Sequence, residues 1–136
     1  MSLTNWEIVL RLYQFSQNLL WMSESDYPFV VFFWELEEEI QLDIPTILEL
    51  TQHPPDIAVK ALEFERFFSK AVTPKDWHGE EEEEEVKRYQ NLVATLQECL
   101  RDLKVYKVGE VTVDVYIVGT TPAGDLAGLS TVAIET

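Results

Sequence analysis

Cysteine is almost absent: Cys99 is the single one in 136 residues. An internal disulfide is therefore excluded. A chain of this length removes roughly two-thirds of its unfolded surface from water on folding, so a core needs neither a disulfide nor a metal. Basic residues are scarce too, with 10 Lys and Arg against 25 Asp and Glu, a net charge of −15. That charge repels the phosphates of nucleic acid and the anionic surface of a bilayer, so neither is expected as a direct partner. Long apolar runs are missing: the longest spans Phe29 to Trp34, far short of the ~20 residues of a membrane helix. The first residues lack a basic stretch followed by an apolar one, so no secretory signal is expected and the cytoplasm is the expected location. Histidine is limited to His53 and His78. Both sit among Pro or Gly with no second His or Cys at ligand spacing, so they read as solvent-facing loop residues and not as metal ligands. Five Gly and six Pro in a chain that is 46% hydrophobic leave an ordinary folded protein, read as one domain over residues 1–136.

What is present is periodic. Thr4 followed by Glu7 spells a capping box, and Trp6, Val9, Leu10, Tyr13 and Leu20 recur on one face behind it, predicting a helix over about 4–21. Ser23-Glu24-Ser25-Asp26 then favours a turn, because short polar side chains compete for backbone hydrogen bonds, and Pro28 excludes further helix. Phe29 to Trp34 is apolar on both alternating faces, which reads as a central strand covered from both sides. Glu35 to Gln41 is a charged connection. Asp43 with Pro45 two residues later predicts a short helix ending before His53-Pro54-Pro55. Ile57 to Phe64 reads as a second strand, and Arg66 to Val72 is ambiguous between a helical turn and a packed loop. Thr73 to Gly79 contains two breakers and reads as a loop that displays Trp77.

The clearest helix is predicted over about 82–103, where Val86, Tyr89, Val93, Leu96, Leu100 and Leu103 recur at spacings of three and four. Glu80 to Glu85 precede it and read as a solvated helix start favoured by the helix dipole. Val105 to Val108 and Val111 to Val118 flank Gly109-Glu110 as a hairpin. A glycine-rich loop, Gly119 to Gly128, leads to a last strand over 129–135. A doubly covered strand, with helices interleaved among the strands, predicts an α+β chain, a largely antiparallel sheet between helix layers.

Catalytic chemistry is hard to find. Gly119 to Leu126 has the glycine spacing of a phosphate loop, yet Asp125 and Leu126 stand where Lys and Ser/Thr are required. Cys99 falls on the apolar face of its helix and reads as a buried, inert thiol. Two features are of the kind that meets a partner: the acidic turn Ser23-Glu24-Ser25-Asp26, and Trp77, which either folds back onto the core or anchors an interface. The excess carboxylate either confers solubility alone or faces a basic partner, such as a protein with a positively charged groove.

Three stretches carry a family resemblance: Leu20 to Phe29; Phe67-Phe68-Ser69 leading to Thr73-Pro74-Lys75-Asp76-Trp77; and Val105-Tyr106 through Thr121 to Gly128 and on to Glu135-Thr136. In these the chain resembles the cyanobacterial nuclease A inhibitors. The resemblance implies a three-layer α/β/α sandwich like that of the plant pathogenesis-related PR-1 proteins. It also implies a non-enzymatic function: inhibition of a sugar-non-specific, magnesium-dependent nuclease of the ββα-metal type. Glu24 would engage a basic active-site residue, Trp77 would pack at the interface, and the C-terminal carboxylate of Thr136 would bind the nuclease's divalent metal. Ser23, Asp26, Asp76 and Glu135, which flank these positions, are expected to bind the partner as well. No cofactor of the chain's own is implied, and a 1:1 complex of a monomer with a basic-grooved nuclease is expected. The alternative is an acidic interaction module on the same scaffold with a non-nuclease partner.

Overall fold

The computed structural model describes residues 3–36 and 42–135, so part of the predicted charged connection and Thr136 lie outside the described residues. Helix α1 (Asn5–Ser16) begins as predicted: the Thr4 hydroxyl accepts from the Glu7 amide and the Glu7 carboxylate accepts from the Thr4 amide, each at 3.2 Å. It stops well before residue 21, because Asn18 takes a left-handed φ of 63°, which asparagine tolerates and which turns the chain out of the helix. The buried face is also not the predicted one. Ile8 and Leu12 are fully buried, whereas Trp6, Leu10 and Tyr13 are exposed. Both stripes have helical spacing. The stripe through Ile8, Leu12 and Phe15 continues to buried Leu19, while one more turn beyond Tyr13 arrives at the polar Gln17.

The chain then forms a small antiparallel hairpin from β1 (Leu20–Trp21) and β2 (Tyr27–Pro28). Strand β3 (Val30–Trp34) follows, then α2 (Ile44–Leu50), β4 (Val59–Glu63), α3 (Phe64–Phe68), α4 (Glu80–Cys99), β5 (Arg101–Val108), β6 (Thr112–Thr120) and β7 (Leu126–Ile134). The main sheet has the order β3-β7-β6-β5-β4, with every neighbour antiparallel. Strand β3 is thus an edge strand and not a central one. Its double apolarity has another cause: Val31 and Phe33 pack into one cluster, and Phe32 and Trp34 into another. Coverage of both faces is what the pattern encodes, and position in the sheet is not.

The larger cluster joins Ile8 and Leu12 of α1, Phe64 and Phe68 of α3, and Leu92 and Leu96 of α4 to Val115, Ile117 and Leu129 of the sheet. Full burial of one such aliphatic side chain contributes about 1.5–3 kcal/mol. The smaller cluster sets Ile47 and Leu48 of α2 against Tyr106, Val108, Val118 and Leu126. Asp43 caps α2 by accepting from the Thr46 amide at 2.9 Å, with Pro45 in the first turn, as predicted. The chain is α+β, with a mostly antiparallel sheet.

Two further boundaries differ from expectation. Helix α4 ends at Cys99, and Leu103 belongs to β5; a left-handed Asp102 (φ 54°) interrupts the chain there, although Leu103 still packs against the same cluster. The predicted glycine-rich loop is short, since Gly119 and Gly128 lie within β6 and β7. Only the turn between the strands remains. Within it Asp125 is buried, and its carboxylate accepts from the Asn5 side chain at 2.8 Å and from the Leu36 amide at 2.9 Å, tying the start of α1 to the end of β3. His53 is likewise not solvent-facing. The chain doubles back after α2, so that Nε2 lies 3.0 Å from the Tyr116 hydroxyl and 3.3 Å from Asp114.

Candidate functional site

The acidic turn is the tip of the β1–β2 hairpin, and its place is set by the end of the sheet. Strand β3 pairs with β7 only as far as Val30 opposite Ser130. Beyond that point β7 has an uncovered edge, and the hairpin occupies it. The Thr131 hydroxyl donates to the Pro28 carbonyl at 2.9 Å, the Ile134 amide donates to the Ser23 hydroxyl at 3.0 Å, and the Glu24 amide donates to the Ile134 carbonyl at 3.4 Å. Within the turn the Ser23 hydroxyl donates to the Ser25 carbonyl at 2.7 Å. On the other arm the Tyr89 hydroxyl of α4 donates to the Leu20 carbonyl at 2.6 Å. Burial, with the Glu85 and Asp26 carboxylates adding to it, holds the Tyr89 phenol well above its ordinary pKa, so it remains a donor.

Glu24 and Asp26 are exposed at this tip. Glu135 continues from β7; its amide donates to the Val111 carbonyl at 2.8 Å and its carboxylate pairs with Lys107. Thr136, the expected metal ligand, lies outside the described residues.

Trp77 projects from a tight turn. The His78 amide donates to the Lys75 carbonyl at 3.1 Å, and the Lys75 amide donates back to His78 Nδ1 at 3.2 Å. Asp76 and Trp77 are left at the corner, where side chains point outward. Trp77 is 76% exposed, with its ring edge-on to His78, so it does not fold back onto the core.

Beneath it runs a groove of about 340 Å³ whose lining includes Trp21, Phe67, Val86, Met22, Glu82 and Glu85. Trp21 stacks on Phe67 with ring centroids 4.3 Å apart, an offset pair that forms part of the wall. A second hollow of about 330 Å³ adjoins it, lined by Leu20, Met22, Asp26, Glu81, Glu84 and Glu85 among others. Met22, 68% exposed, and Glu85 line both.

The acidic turn, Met22, Trp77 and the start of α4 therefore meet on one end of the molecule. Glu80 to Glu85 begin the helix as expected, with the Glu82 carboxylate accepting from the Gly79 amide at 3.0 Å and Glu84 pairing with Arg88 at 3.1 Å. Glu81, Glu82, Glu84 and Glu85 also wall the grooves beside the turn, which a solvated helix start does not imply. Met22, Glu81 and Glu85 are absent from the sequence-derived candidates. The readable signal is in α4, because Glu82 and Glu85 precede buried Val86 and Tyr89 by four residues each on one helical stripe.

Cys99 is buried and burial pushes its thiol pKa up, opposite to what a nucleophile requires. Among the described residues no three His, Cys, Asp or Glu side chains gather to hold a metal, and no helix is long and apolar enough to cross a membrane.

Fold and surface together define a class: an acidic α+β protein that displays an aromatic ring and carboxylates on tight turns. The family model for nuclease A inhibitor-like protein matches residues 6–136, and the chain belongs to that family. No curated protein sequence matches it.

Proposed function

We propose that this chain inhibits a sugar-non-specific, magnesium-dependent nuclease of the ββα-metal type by filling its active site, and that it is not itself an enzyme. Glu24 presents a carboxylate to a basic active-site residue. The α-carboxylate of Thr136 supplies oxygen ligands to the divalent metal held by the nuclease, in place of a substrate phosphate. Trp77 packs at the interface, with Asp26, Asp76 and Glu135 around it. The whole chain acts as one domain, 1:1 with the nuclease, in the cytoplasm. Apolar clusters on both faces of the sheet support a three-layer α/β/α sandwich of the PR-1 kind as the scaffold.

The observation that carries this reading is the joining of the acidic turn to the end of β7. The hydrogen bonds to Ile134 bring Glu24 beside residues 134–135, so two acidic groups far apart in sequence can enter one active site together. The net charge supports it as well, since a nuclease groove built to attract phosphates attracts an acidic surface by the same field.

The test is digestion of DNA and of RNA by such a nuclease, with and without equimolar protein. Protection of both substrates is expected. Binding without protection would make the chain an acidic interaction module, and absence of binding overturns the proposal. Residues appended after Thr136 replace a carboxylate by an amide, a poorer magnesium ligand. Such a form is expected to inhibit weakly, while residues added before Thr4 leave inhibition intact.

A further inference from the structure

We infer that Ser23 is a positioning residue for Glu24 and does not itself contact the partner; this rests on the assignment of Glu24 to the nuclease-binding surface. Strand β7 ends at Ile134. Its amide and carbonyl both point away from β6 toward the edge that β3 is too short to cover. Left alone they would be an open ladder rung. The Ser23 hydroxyl takes the amide at 3.0 Å and the Glu24 amide takes the carbonyl at 3.4 Å, so one side chain and one backbone group complete the rung.

The proton of that hydroxyl goes to the Ser25 carbonyl at 2.7 Å. Ser23 thus bonds on both sides of Glu24, to the strand and across the turn. A serine hydroxyl has one donor and two acceptor lone pairs; its donor and one acceptor are already used inside the protein, and the side chain is only partly exposed. What remains for it is to fix the direction in which Glu24 leaves the sheet. A turn fixed before binding loses less freedom on binding, so the clamp increases affinity without touching the partner.

The experiment combines two readouts on the full chain. Inhibition of a ββα-metal nuclease is titrated for wild type, Ser23→Ala, Ser23→Thr, Glu24→Ala and the Ser23→Ala/Glu24→Ala double variant. Hydrogen exchange of the Ile134 amide is measured on the inhibitor alone. Ser23→Ala is expected to weaken inhibition about fivefold to tenfold, the scale of a lost hydrogen bond, and to speed exchange at Ile134. Ser23→Thr keeps the hydroxyl and restores both.

In the Glu24→Ala background, Ser23→Ala is expected to cost nothing more, because its action passes through Glu24. An equal cost in that background overturns the inference and makes Ser23 a contact residue. Unchanged inhibition by Ser23→Ala, where the wild type inhibits normally, overturns this inference alone. Absence of wild-type inhibition overturns the nuclease reading and this inference with it.

Discussion

Removing the Glu24 carboxylate leaves the backbone attachment of its turn to Ile134 in place. Glu24→Ala is therefore expected to keep the turn attached to β7 while weakening inhibition by about 2–5 kcal/mol, because a basic group of the nuclease would be buried without its partner; an inhibition titration beside hydrogen exchange of the Ile134 amide checks both halves. Trp77→Ala gives the complementary case. A ring 76% exposed adds little to the core, so folding is expected to hold while affinity falls by about 2 kcal/mol, as for an interface anchor. Calorimetric titration reads this directly, and unchanged affinity would remove Trp77 from the interface. The loop around Trp77 is legible because two breakers within seven residues forbid a regular element around a large aromatic, whereas the outward direction of its ring is not. The place of Met22 is not legible either, since it lies on a groove made with α3 and α4, which no local pattern in residues 20–26 contains.

At the scale of elements, capping chemistry is legible in the sequence where packing is not. The Glu7 carboxylate accepts from the Thr4 amide foremost and from its hydroxyl as well, which holds its pKa below the ordinary glutamate value. A lowered folded-state pKa gives stability that is present above the unfolded value and lost as pH falls through the folded one. Melting temperatures of wild type and Glu7→Gln are accordingly expected to differ at neutral pH and to converge in acid. A constant difference would deny the carboxylate its capping role. The sequence does not separate the two faces of α1, because both stripes have the same period, and only the strand and helix it meets decide between them. Strand β3 was legible as doubly covered but not as an edge, because hydrogen-bond neighbours leave no mark in side-chain alternation. Close approach explains Gly128, where a Cβ would overlap the Ile117 carbonyl oxygen and press on the Phe32 ring. Gly128→Ala is expected to lower stability by about 3 kcal/mol, measured by urea denaturation.

At the scale of the whole molecule, charge acts at a distance. If the −15 is read by a basic groove, the association rate falls as salt rises while dissociation changes less, since ~0.15 M salt already screens fields beyond roughly 8 Å. Stopped-flow mixing at several salt concentrations is the measurement, and an association rate indifferent to salt would reduce the charge to a device for solubility. The hairpin that covers β7 carries one more consequence. A bare strand edge is a template on which other chains extend their sheets, and here the segment that shields residues 131–134 is the one that presents the acidic turn. If the acidic turn is the surface that meets the nuclease, recognition and protection of the edge are served by the same few hydrogen bonds, and a substitution that frees the turn to adapt to a new target also uncovers the edge.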